Sequence, residues 1–146
     1  MCINIDPKHY KAHNYLIYCN DVLVSILKFA DSKKLNSGQL IFDKDKLEEY
    51  EKLRDGDVGK LFDWAIEKGC KAQVYDLFFK HIFLSLVKSF WNYMSESVAC
   101  AAKLKIDVSY TLLRKPLKEI LGCIEWLYVD RDKFIDLLYK GPIKDL

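Results

Sequence analysis

Residues 71–106, KAQVYDLFFKHIFLSLVKSFWNYMSESVACAAKLKI, restrict the possible folds of this chain more than any other stretch. Val74, Leu77, Phe78, Ile82, Phe83, Leu86, Val87, Phe90, Met94, Val98 and Ala101 recur at helical spacing and cover more than half of a helix circumference. A helix that apolar must pack against neighbours on at least two sides. The spacing therefore predicts one long central helix over 71–106. Its polar strip is narrow: His81, Ser85, Lys88, Asn92 and Ser95, at intervals of four, three, four and three. This strip reads either as a polar seam facing a cleft or, more plainly, as the solvated edge of a central helix.

The flanking segments supply the neighbours. Asp6 and Pro7 form a helix start, because aspartate caps free amides and proline at the first helical position loses no hydrogen bond. Tyr15, Leu16, Cys19, Val22, Leu23, Ile26, Leu27 and Ala30 follow at helical spacing, predicting a helix over 7–30. Residues 31–42 read as a loop. Asp43 is placed to cap a short charged helix to about 54. Asp55 or Asp57 caps another that ends near Gly69, with Leu61, Phe62, Ala65 and Ile66 on one stripe. Asp107 caps a helix over 108–129. Asp130 or Asp132 caps a last one over 133–140, stopped by Gly141 and Pro142. No strand pattern or repeat interrupts this series. The fold class is all-α, a single-domain antiparallel bundle of five or six helices over residues 1–146. The chain reads either as complete or as the N-terminal part of a longer protein.

With 146 residues, a chain of this size can fold on a core alone. Apolar residues make up 51% and aromatic residues 14%, too rich for disorder. Charge is balanced: twelve basic against twelve acidic residues in 1–73, and eleven against nine in 74–146. A nucleic-acid scaffold would carry a basic footprint, so nucleic acid is only weakly supported as a partner. The N-terminus lacks a secretory pattern, and the most apolar run falls short of the ~20 residues of a membrane span, so the expected location is cytoplasmic with no membrane partner. The five cysteines, Cys2, Cys19, Cys70, Cys100 and Cys123, form no CxxC pair, which suggests neither a disulfide framework nor a zinc site. Most read as small buried apolar residues of a reduced compartment.

The predicted helix 108–129 contains LLRKPLKEILGCIEWL, an apolar stripe interrupted by Arg114, Pro116, Glu119 and Glu125. Pro116 lacks an amide proton and its ring clashes with the Leu112 carbonyl, so the helix kinks near 112–116 or breaks, with Pro116 starting a new one. Lys115, as the residue before proline, is biased away from helical geometry, which favours a break. Arg114, if buried, requires a carboxylate, and Glu119, Glu125 and Glu96 are the candidates. Lys103, Lys105, Lys115 and Lys118 join Arg114 in a basic cluster around a helix start, a candidate anion patch whose plainer reading is a solvated corner. The acidic segment 43–57 could meet that corner in a neighbouring subunit.

Residues 110–134, YTLLRKPLKEILGCIEWLYVDRDKF, resemble a segment of uncharacterised bacterial all-helical families that pair an arginine and a glutamate in an apolar helix after a long one. Those families are loosely similar to the HEPN superfamily, and the resemblance covers about residues 71–140. In catalytic HEPN ribonucleases an arginine is followed, after four to six intervening residues, by a histidine. Arg114 matches the arginine, but Glu119, Ile120 and Leu121 occupy the histidine positions. The resemblance therefore implies a non-nucleolytic member with a role in binding or assembly.

His9 and His13 share a helical face, but no glutamate accompanies them as in HExxH, so no metal is expected. Cys100 lies in apolar VACAAK and reads as inert. No glycine-rich phosphate loop is present, and no cofactor is implied. The expected function is that of a non-enzymatic helical binding or protein-interaction domain, with a homodimer or another protein as partner. The alternatives are a HEPN-like nucleic-acid-acting enzyme or toxin with a noncanonical site near Arg114, and a small-ligand sensor using His81, Ser85, Lys88 and Asn92.

Overall fold

A computed structural model of the protein describes residues 7–35, 37–38, 40–41, 44–54 and 56–140. The expected signals at Cys2, Asp6, Asp43, Asp55, Gly141 and Pro142 lie outside the described residues. Among the described residues there is no strand. The helices are α1 (Tyr10–Ser32), α2 (Leu47–Arg54), α3 (Val58–Ala65), α4 (Lys71–Ala102), α5 (Ile106–Lys115), α6 (Leu121–Val129) and α7 (Arg131–Lys140). The fold is an all-α bundle with α4 as the central rod, against which α1, α3, α5, α6 and α7 all pack.

Short-range chemistry sets several helix ends, although the expected cap Asp107 lies within the first turn of α5 and bonds no free amide there. Asp57 caps α3, its carboxylate accepting from the Gly59 amide at 2.8 Å. Asp130 accepts from the Lys133 amide at 3.3 Å at the start of α7. Between α3 and α4 the chain turns at Gly69, whose φ of +90° is open to glycine at little cost. Two helices end differently. After α1 the amides of Lys34 and Leu35 donate to the carbonyls of Asp31 and Ala30. After α4 the amides of Leu104 and Lys105 donate to those of Ala101 and Cys100. Both are Schellman closures, with Lys34 (φ 50°) and Leu104 (φ 60°) where glycine is usual.

Pro116 does not break its helix. Lys115 keeps helical angles (φ −64°, ψ −52°), as does Pro116 itself, and residues Pro116–Ile120 form a π turn that joins α5 to α6. The wider turn accommodates one extra residue and relieves the clash expected from the proline ring. Pro116 and Ile120 are buried there, so packing holds the irregular turn in place.

The core gathers where α3, α4, α6 and α7 meet: Ala65, Cys70, Val74, Tyr75, Leu127, Phe134 and Ile135. Phe62 packs on Phe78 with ring centroids 5.0 Å apart, and Trp126 meets Phe134 edge-on at 5.2 Å. α7 is also tied down by two tyrosines. Tyr75 of α4 donates to Asp136 of α7 at 2.5 Å, and Tyr139 of α7 donates to Asp63 of α3 at 2.5 Å. Towards the other end of α4, buried Ser97 donates to the Ser109 carbonyl at 2.9 Å and pairs with its hydroxyl, fixing α5 against α4. Of the described cysteines only Cys70 is buried, while Cys19, Cys100 and Cys123 are half-buried. Among the described residues no helix is long and apolar enough to cross a membrane.

The fold leaves much apolar surface uncovered. Tyr15, Tyr18, Ile41, Leu104, Tyr110, Tyr128 and Val129 are each at least 65% exposed.

Candidate functional site

Arg114 stands exposed in the last turn of α5, Glu119 exposed in the π turn, Glu96 exposed on α4 and Glu125 exposed on α6. Among the described residues no hydrogen bond or ion pair joins Arg114 to any of the three carboxylates. Solvent supplies what a buried arginine would have needed from a partner. Glu125 instead edges a shallow apolar groove between α4 and α6, lined by Phe79, Phe83, Leu121, Ile124, Leu127 and Tyr128.

The basic patch is spread over three segments. Lys103 and Lys105 lie in and beside the α4–α5 turn, Lys115 ends α5 and Lys118 sits in the π turn, all exposed. Lys115 is turned back onto α4, with its Nζ 5.3 Å from the Tyr93 ring centroid. Hydrogen bonding to Tyr93 raises its ammonium pKa above the usual lysine range, so it stays a cation. In the acidic segment, Glu49 has a structural partner within the chain. It pairs with Lys68 at 2.9 Å and accepts from the Trp64 indole at 2.9 Å, and the hydrogen bond from Lys68 leads the effects that lower its carboxyl pKa. His9 is exposed and His13 half-exposed at the start of α1, and no group of three or more metal-ligating side chains occurs among the described residues.

Three seam residues share one recess. His81, Ser85 and Lys88, all exposed on α4, line a cleft between α4 and α1 together with Leu27, Ala30, Asp31, Leu84 and Trp91. Asn92 is exposed and outside that lining. Ser95 turns to α1 instead: its hydroxyl and the Trp91 indole both donate to Asn20 Oδ1, at 3.0 and 2.8 Å. Asn20 thus anchors α1 on α4.

The most distinctive surface is on α1 itself. Cys19, Asn20, Leu23, Leu27 and Ala30 are buried or half-buried on its α4 side. About a third of a turn round the helix from that side, Tyr15 (67% exposed), Tyr18 (65%), Val22, Ile26 and Phe29 (58%) face outward. A shallow groove runs along Tyr18, Asp21, Val22, Ser25, Ile26 and Phe29. No protein-family model, curated protein or solved structure matches this chain. By helical spacing alone Tyr15, Val22 and Ile26 form one apolar set with Leu23, Leu27 and Ala30, whereas the fold divides them between two faces. The signal for the outer face is the spacing Tyr15, Tyr18, Val22, Ser25, Phe29, which is three, four, three and four.

Proposed function

We propose that the protein is a helical protein-interaction domain whose docking surface is the outer face of α1. The supporting observation is the row of large apolar side chains exposed along α1 beside its α4-packed face. An isolated exposed apolar residue is ordinary, but a contiguous row along a helix is a feature of interaction sites. A HEPN-like kinship would suit it, since the departure from the arginine-to-histidine spacing leaves binding or assembly as the implied role.

A photo-crosslinking residue placed at Tyr18 is expected to give covalent protein adducts in the source cells, and the same residue at exposed Glu51 on α2 is not. Adducts from neither position, or equally from both, would remove the assignment.

A second reading, a small-ligand sensor, is favoured by the cleft that brings His81, Ser85 and Lys88 together beside Asp31. These groups could donate to an anionic or polar molecule and leave one carboxylate to accept from it. Native mass spectrometry of protein purified from its own cells is then expected to show a small bound mass that Lys88→Ala loses. A bare chain mass in the wild type would dismiss this reading.

A further inference from the structure

We propose that the occupant of the α1 face is a second copy of the same chain, docked with its own α1 antiparallel across a two-fold axis near residues 23 and 24. This rests on the interaction reading above and names the partner. The 3-4-3-4 row makes Tyr15, Val22 and Phe29 one set of seam positions, and Tyr18 and Ser25 the other. Antiparallel pairing sets one kind against the other. Centred between residues 23 and 24, it places Tyr18 opposite Phe29 of the second copy and Val22 opposite Ser25. Small Ser25 lies in the groove between the larger side chains, and that recess takes the incoming Val22. Every layer occurs twice, as a two-fold interface requires.

Charge fixes the direction. Asp21 and Lys28 both flank the seam on the same side, seven residues apart, and both are exposed. In the antiparallel register Asp21 of each copy meets Lys28 of the other, giving two equivalent ion pairs. The opposite flank carries exposed Ile26, which widens the apolar strip. A parallel pairing would set Asp21 opposite Ile26, burying a carboxylate edge against an apolar side chain. Antiparallel helices also oppose their dipoles favourably. The row from Tyr15 to Phe29 extends about 21 Å at 1.5 Å per residue. Such a short seam belongs to the weak class of interface, below about 1,200 Å² in total. The dimer is therefore expected at micromolar to submillimolar concentrations.

Sedimentation equilibrium of the full chain, with circular dichroism to check folding, tests this. Wild type is expected to form dimers. Asp21→Lys and Lys28→Asp should each weaken association about tenfold, because attraction becomes repulsion at two symmetric places. Mixing these two variants should restore association as a heterodimer, and the double variant should restore it alone. Val22→Glu should leave a folded monomer. A wild type that stays monomeric throughout, or a mixture no stronger than its components, overturns the second-copy assignment. In either case Tyr18 crosslinking to a different protein would still uphold the interaction domain, so the two failures are distinct.

Discussion

Leu127→Ala is expected to destabilise the protein by about 3–5 kcal/mol, the range for truncating a fully enclosed leucine. Leu127 is 1% exposed and belongs to the cluster with Val74, Tyr75, Phe134 and Ile135, where α4, α6 and α7 converge. The truncation removes apolar contact and leaves a void that rigid neighbours fill only in part. For a chain of this length the loss corresponds to a fall of about 10 °C in the unfolding midpoint. Leu121→Ala, six residues earlier on α6 and 41% exposed, removes the same atoms and should cost less than about 1 kcal/mol. Urea unfolding of the two variants side by side decides the matter. Equal losses would mean that the core does not lie at the α4–α6–α7 junction.

Alkaline pH should unfold the protein by releasing α7. Burial, followed by the hydrogen bond to Asp136, pushes the Tyr75 hydroxyl up from 10.0 to about 12. Burial and the bond to Asp63 do the same for Tyr139, also to about 12. The folded pKa is the higher one in both cases. Below the ordinary tyrosine value both states hold the proton, and the full stabilisation is present. As the pH rises from about 10 to about 12 the unfolded chain ionises first, so stability falls across that window. Two units on the buried Tyr75 correspond to about 2–3 kcal/mol, and the half-buried Tyr139 adds less. Lys115, held above its usual range, pulls the same way. The urea midpoint is therefore expected to fall steeply between about pH 9 and about pH 12. Tyr75→Phe should flatten much of that slope while lowering stability at neutral pH. A slope unchanged in Tyr75→Phe would show that Tyr75 does not carry the linkage.

The same two tyrosines mark what a linear reading cannot reach. Tyr75 and Asp136 are 61 positions apart, and Tyr139 and Asp63 are 76 apart. Nothing in the local sequence of either pair announces the other. Asn20, which accepts from Trp91 and Ser95, is the same kind of case.

Helical class and a long central helix starting at residue 71 were legible in the sequence, though it ends at Ala102 and not at 106, and the caps at Asp57 and Asp130 were each one of two neighbouring aspartates. These rest on periodicity and on side chains that bond their own backbone within three residues, both of which are local. The ends of α1 and α4 were not, because Lys34 and Leu104 occupy left-handed positions that glycine would have announced. Nor was the passage through Pro116, where burial of the proline and Ile120 stabilises a π turn against the local preference for a break. Tertiary structure alone decided which stripe of α1 meets α4 and which is left bare. Both stripes are apolar and both have helical spacing, so composition and period describe them equally. Only the position of α4, with Trp91 and Ser95 reaching Asn20, selects Leu23, Leu27 and Ala30 for the inside and leaves Tyr15, Tyr18, Val22 and Phe29 facing outward.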